Sequence, residues 1–397
     1  MLTTLSAAAV GDSPIIADMK RDADAGDIGR FEELISEMKV RGVSKSDPYY
    51  VKYYNMWLNT FNNPASTELQ KAEAARAMMY CMSEGIGVKY DKELMKRYFN
   101  EARMRLDKLV KPGSPDRPEA LYELYNLLRY YNSSDYGCSP DDYPDFRNML
   151  RQSAEAGCLK AMTSYGINLI WNEERVTEGL AWIERAAKAG YIPAQTWLCR
   201  NLATGTVESG MGETIKRDSE KSVYWGEKCW RHDTMCADEM AANYFYGRGT
   251  APNYSKALEC LTGRYATDDL DYSTEHTYML ACIYAKLGET GEALNIFNRL
   301  FGPDGAAAYD NWETTGYYIG KGYYDGIAVP RDYAKAVKYL TKASEYGEDM
   351  YKAKALLSKC YRFGRGVTKN VAKANRLVRE AREGSADAID IDEIIGK

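Results

Sequence analysis

At 397 residues, 45% of them hydrophobic and 27% charged, the chain has ample material to bury a continuous core. A net charge of −5 with no sustained basic run argues against a nucleic-acid or membrane-surface binder. No stretch approaches the roughly 20 consecutive apolar residues that a membrane-crossing helix needs, so no membrane insertion is expected.

The start, Met1 to Val10, lacks the basic and apolar segments of an export signal, although its alanines resemble the end of one. The chain reads either as cytoplasmic, the preferred placement, or as beginning partway through a removed leader, which would make it periplasmic or secreted. Residues 1–65 are expected to form a divergent helical cap, because an end repeat must cover an apolar face that has no further neighbour. Within them Ser13-Pro14 opens a helix through Met19, and Asp27 precedes the apolar series Phe31, Leu34, Ile35 and Met38. Pro48 then opens a tyrosine-rich helix through Trp57.

From 66 to 384 the dominant signal is a repeat of about eight units. Small or tolerated residues at Ala74, Ala120, Ala161, Ala194, Cys236, His276, Thr315 and Ala353 recur at intervals of roughly 40 residues, each followed by residues suited to burial four and eight positions on. These offsets lie on one stripe of a helix, so each copy offers a buried seam whose small first residue lets a neighbouring helix approach closely.

Each unit reads as helix, short loop, helix. In the copy from Trp312 to Gly347 the first helix carries Ile319 and Tyr323, and Asp325-Gly326-Ile327-Ala328-Val329-Pro330 breaks it. Asp332 then caps a second helix presenting Ala336, Val337, Leu340 and Ala343. The same grammar recurs at Gly85-Ile86-Gly87 with Asp91, at Gly247-Arg248-Gly249 with Asn253, and at Gly364-Arg365-Gly366 with Asn370. One copy lacks the glycine pair and runs through Asn172-Glu173-Glu174 instead. Residues 385–397, with Ala388 to Ile395 at their centre, form either a short acidic cap or a tail that docks elsewhere.

With motifs such as Tyr323-Tyr324-Asp325-Gly326-Ile327-Ala328-Val329-Pro330-Arg331-Asp332-Tyr333-Ala334-Lys335-Ala336 and Tyr361-Arg362-Phe363-Gly364-Arg365-Gly366-Val367, the units resemble Sel-one-like repeats, the bacterial and eukaryotic relatives of tetratricopeptide repeats. The resemblance is strongest at the C-terminal end and weaker from Glu119 to Asp218. The copy from His276 to Leu300 turns through Leu287-Gly288-Glu289-Thr290-Gly291-Glu292-Ala293, which looks more like a plain tetratricopeptide unit, and the copy from Ala194 carries an extra loop from Glu208 to Lys216. The resemblance implies an all-α fold, an α–α superhelix (solenoid) of helix pairs, working as an adaptor that holds other proteins on a concave surface.

Chemistry finds little to build on. The nine cysteines are scattered and read as buried thiols, with one open alternative, a bridge from Cys229 to Cys236 that clamps adjacent helices. Of the two histidines, His276 sits at a repeat anchor and His232 beside Asp233 in a loop, so neither reads as catalytic. No nucleophile elbow, phosphate loop or zinc signature is present. The Gly-Arg-Gly pairs read as turn geometry, with anion cradling as the alternative. The acidic runs Asp22 to Asp27 and Asp268 to Asp271 raise a calcium question but lack the twelfth-position glutamate of a calcium loop, so neither metal nor cofactor is expected.

Binding is the remaining reading. In repeats of this kind the face of the first helix away from the seam lines the concave groove, and positions two and six after each anchor are assigned to it. They carry Tyr122, Asn126, Arg200, Asp238, Tyr278, Tyr317, Lys321 and Lys359, a mixture of aromatic and charged groups suited to recognising a protein or peptide. The expected function is a non-enzymatic scaffold. The alternative is an exported envelope protein that binds or hydrolyses glycan, with tyrosines stacking on sugars and paired carboxylates doing acid–base work.

Overall fold

Local signals decide where each helix starts. In the computed structural model every regular element among the described residues is an α-helix. Those residues are 14–25, 28–40, 42–131, 143, 146–205, 215–264, 274–301, 312–345, 350–384 and 388–396. The start from Met1 to Val10, Ser13, Gly26 and Asp27, most of the loop after Glu208, the run from Asp268 to Asp271 and Gly347 lie outside them.

The chain begins with α1 (Pro14–Asp24), α2 (Ile28–Val40) and α3 (Pro48–Asn62). Helical pairs follow: α4 (Glu68–Glu84) with α5 (Lys92–Leu109), α6 (Arg117–Tyr130) with α7 (Phe146–Glu155), and α8 (Leu159–Asn172) with α9 (Val176–Lys188). Next come α10 (Ile192–Thr204), α11 (Ser219–Cys229), α12 (Thr234–Tyr246) and α13 (Tyr254–Arg264), then α14 (Thr274–Lys286) with α15 (Thr290–Phe301). The last pairs are α16 (Trp312–Asp325) with α17 (Tyr333–Ala343) and α18 (Met350–Phe363) with α19 (Val371–Gly384), followed by α20 (Ala388–Ile395).

An Asp or Asn stands before many of the second helices and accepts a backbone N–H of the first turn. Asp91 takes Leu94 N at 2.9 Å, Asp218 takes Lys221 N at 3.0 Å, Asn253 takes Lys256 N at 3.0 Å, Asp332 takes Lys335 N at 2.9 Å and Asn370 takes Lys373 N at 2.9 Å. Each satisfies a donor that the helix itself leaves orphaned, a contribution of about 1 kcal/mol. The cap's own N–H reaches back to a tyrosine in the last turn of the first helix: Asn253 to Tyr244 O at 2.8 Å, Asp332 to Tyr323 O at 3.0 Å and Asn370 to Tyr361 O at 2.8 Å. Where the copy after α8 lacks glycine, Glu174 takes the left-handed conformation itself, at φ 55°.

Burial follows the seam. Of the eight anchors all but His276 are buried, and the offset-four residues Leu124, Leu198, Met240 and Leu357 are buried with them. His276 keeps 19% of its side chain exposed and faces Asp238 at 3.8 Å, which fits a structural role. First helices pack on first helices: α4 meets α6, α6 meets α8, and α14, α16, α18 and α20 meet in succession. The C-terminal α20 buries Ile391 against Ala355 of α18 and Ala381 of α19.

The chain divides into two compact units. Among described residues the first holds 14–202, 215–216 and 224–234, and the second holds 203–205, 217–223 and 235–396. Cys229 and Cys236 are both buried thiols outside any disulfide, so the bridge that their spacing admits is not formed. No described helix is long and apolar enough to cross a membrane.

Candidate functional site

Because first helices such as α6 and α16 are flanked by the first helices of their neighbours, the face two residues past the anchor is not open. Tyr278 and Tyr317, assigned to an exposed face, are 1% and 4% exposed. Thr163, Thr196 and Ala355, at the same offset, are buried too. The more open positions lie one residue before the anchor and ten after it, and six after it except at Cys282, whereas offset three is buried at Ala77, Glu123, Met279, Tyr318 and Leu356. At about 100° per residue those positions lie on a stripe near 260° from the anchor, and offset two, near 200°, falls short of it.

In unit 2 this stripe builds a cleft of about 640 Å³. Glu275 (α14) and Lys352 (α18) stand one residue before their anchors, Tyr318 (α16) and Leu356 (α18) three after, and Lys321 (α16) and Lys359 (α18) six after. Tyr246 and Arg248, at the end of α12 and in its turn, Asp325, and Arg217 before α11 complete the walls, with Ile394 of α20 at one side. Of the assigned residues, Tyr317, Lys321 and Lys359 line the cleft. The stripe before and three after the anchors, including Lys352 and Glu275, escaped sequence reasoning, although its spacing of three to four residues is itself a helical signal.

The cleft's charges are ordered. Lys321 Nζ donates to Asp325 Oδ2 at 2.5 Å, and the buried Tyr278 hydroxyl donates to the same oxygen at 2.8 Å. Burial, with Cys282 and Asp325 close by, holds the Tyr278 hydroxyl protonated far above its ordinary range. Lys359 Nζ donates to the Ile394 carbonyl at 2.9 Å. Burial pushes the Lys359 ammonium below its usual pKa, and the neighbouring Arg365 and Lys321 charges push it the same way. The Arg365 guanidinium lies 5.4 Å from the Tyr324 ring centre and donates to that tyrosine's hydroxyl.

In unit 1 the same stripe carries opposite charges that meet one another. Glu73 (α4), Glu123 (α6) and Lys160 (α8) occupy it, and Glu32 of α2 and Arg76 of α4 join them. Arg76 Nε donates to Glu123 Oε2 at 2.5 Å, and Lys160 stands 3.7 Å from Glu73. Burial raises the Glu32 and Glu73 carboxyls above the usual range, an effect that Lys160 and Arg76 oppose. Tyr122 contacts Ser164 here at 3.4 Å, while Asn126 is half-buried and Arg200 exposed. Replacing Arg76 by methionine is expected to destabilise unit 1 by about 2 kcal/mol: it strands a Glu123 side chain that is only 2% exposed, with Lys160 left as partial compensation. Chemical denaturation followed by exchange protection on α4 and α6 measures this, and a change below about 0.5 kcal/mol would show that the pair contributes little.

A model of the Sel1 repeat matches residues 71–104, 161–191, 194–228, 235–262, 317–347 and 352–384. The chain is a Sel1-repeat protein. The hairpins α6–α7 and α14–α15 lie between matched Sel1 segments, and the second contains the tetratricopeptide-like turn at Gly288. No curated protein matches the chain. Among solved structures it is similar to a protective antigen present in uropathogenic Escherichia coli strains that displays an SLR fold, at 18% identity and a TM-score of 0.42, covering 96% of this chain and 89% of that one. It is also similar to a Sel1 repeat protein from Oxalobacter formigenes, at 20% identity and a TM-score of 0.38, covering 87% of this chain and 92% of that one.

Proposed function

We propose that this Sel1-repeat protein is a non-enzymatic scaffold that holds a segment of a partner protein against the first-helix stripe of unit 2. On this reading residues 1–65 cap the array, 66–384 form it, and 385–397 close its far end. The observation that supports the binding site is the cleft itself: first helices from successive repeats bring charged groups to one open space. In unit 1 the corresponding positions hold the Arg76–Glu123 and Lys160–Glu73 pairs. A preformed wall of this kind lowers the ordering cost of binding on the scaffold's side. Glycan binding is the weaker reading, because Tyr317, Tyr318 and Tyr324 are at most 7% exposed and leave little ring face for a sugar to stack on.

A photo-reactive residue placed at Glu275, in the cleft, is expected to cross-link partner polypeptide from a native extract. The same residue at Lys338, exposed on α17, is expected not to. Cross-links from Lys338 alone, or from neither position, would overturn the assignment.

A further inference from the structure

Resting on that reading of the cleft, the charges name its occupant. The cleft presents the cations Arg217, Arg248, Lys321, Lys352 and Lys359 against the carboxylates of Glu275 and Asp325, and Asp325 is already engaged by Lys321 and Tyr278. Beyond the last turn of α20 a second cleft, of about 360 Å³, adjoins it. Its lining includes Lys359, Arg362 and Arg382 and no carboxylate. Lys359 belongs to both, so it stands where the two spaces meet.

What already sits on Lys359 shows the chemistry this spot accepts. The Ile394 carbonyl belongs to the C-terminal turn of α20, the end of a helix that carries partial negative charge. Arg382 of α19 donates to the Asp392 carboxylate of α20 at 3.1 Å. Two cations at the junction are therefore held by anionic or carbonyl oxygen from the chain's own last helix, beside a cleft whose lining carries more cations than carboxylates. A chain whose net charge is −5 concentrates cations here, against its overall balance.

We infer that the paired clefts bind an acidic segment of a partner protein, with glutamate or aspartate side chains meeting Lys352 in the first cleft and Arg362 in the second, past the Lys359 junction. Charge complementarity of this kind sets which partner is accepted and speeds encounter. The Ile394 carbonyl holds the Lys359 ammonium at the junction, and an incoming carboxylate would join Asp325 in offsetting the Arg365 and Lys321 charges beside it.

The test is fluorescence anisotropy of the full chain with a short fluorescein-labelled Glu/Tyr peptide and its Gln/Tyr isostere. The glutamate peptide is expected to bind about tenfold or more tightly than the isostere, and to weaken as salt is raised. Lys352→Gln and Arg362→Gln, one in each cleft, are each expected to weaken it several-fold, and Lys338→Gln on α17 to leave it unchanged. Equal binding of the two peptides, affinity indifferent to salt, or a loss from only one cleft variant would overturn the inference. A single-stranded oligonucleotide that competes at the same site with higher affinity would overturn it also. Because the two peptides are compared on the unaltered chain, a folding defect in a variant does not touch that result. Cross-linking from Glu275 to a partner without any glutamate preference sinks the acidic reading alone, whereas loss of that cross-linking sinks the scaffold reading beneath it.

Discussion

Replacing Gly366 by alanine is expected to destabilise the α17–α18 junction by about 4 kcal/mol, at the extreme of what single substitutions do. A methyl group there would stand 2.1 Å from the Tyr333 carbonyl oxygen and 2.3 Å from its carbon, and both are backbone atoms in the first turn of α17. They can yield only if the helix moves. The residue also stands at φ +69°, where an L side chain adds roughly 1 kcal/mol of strain. Gly364, two residues earlier, separates the two effects: its φ is +68°, but the nearest atom to an added methyl lies at 3.4 Å. Gly364→Ala should therefore lose only the conformational part, about 1 kcal/mol. Helical-repeat chains do not unfold in one step, so the measurement is hydrogen exchange on α17 and α18 rather than a single melting temperature. Equal losses in the two variants would show that the close approach does not decide the residue. The same approach recurs at Gly87 against Tyr50 of α3, at 2.2 Å, and at Gly249 against Ser219 of α11, at 2.1 Å. The second glycine of each pair is thus the place where one repeat docks onto the start of the preceding repeat's second helix.

A leucine at Gly179 is expected to destabilise the α8–α9 hairpin by about 3 kcal/mol or more through overpacking. Gly179 and Gly166 face each other across the crossing. An added methyl on either would stand 2.5 Å from the other's carbonyl oxygen, and it would also press on Ile170 or Ile183 at 2.5–2.6 Å. Here the backbone is ordinary helix, so the penalty is entirely one of space. Gly291 in α15, with no atom within 4 Å of an added methyl, is the control, and alanine there should be neutral or slightly stabilising. Exchange protection on α8 and α9 reads the outcome, and a Gly179→Leu chain with unchanged protection would refute the crossing as described.

These contacts mark the boundary of what a sequence discloses. Helix starts were legible because an N-cap such as Asp332 or Asn370 acts on its own next three residues. The hairpin breaks were legible because Gly326 and Gly364 act on their own backbone, and the repeat register because anchors such as Ala353 recur. The orientation of the binding stripe was not. Tyr278 and Tyr317 look outward only on an isolated helix, and neighbouring first helices bury them, α16 beside Tyr278 and α14 and α18 beside α16. Lys321 and Lys359 were found because offset six lies on the true stripe, whereas Lys352 and Glu275 stand just before the anchor, where nothing local distinguishes them from solvated surface. Nor did any local pattern announce the Gly166–Gly179 crossing, since each glycine gains its meaning from the other.

Helix α2 carries a consequence for how unit 1 assembles. Arg30 Nη1 donates to the His232 carbonyl at 3.2 Å, and the Thr234 hydroxyl donates to Glu37 at 2.5 Å, bonds that join positions 202 and 197 residues apart. A nearest-neighbour array can grow or fray from either end one module at a time. Bonds of such separation make the two ends of the stretch depend on each other, and the entropy of closing so long a loop has to be met before they form. Shortening the protein from its N-terminal side should thus loosen the turn at 232–234 before it loosens the hairpins in between, so that stability in this unit is shared rather than sequential.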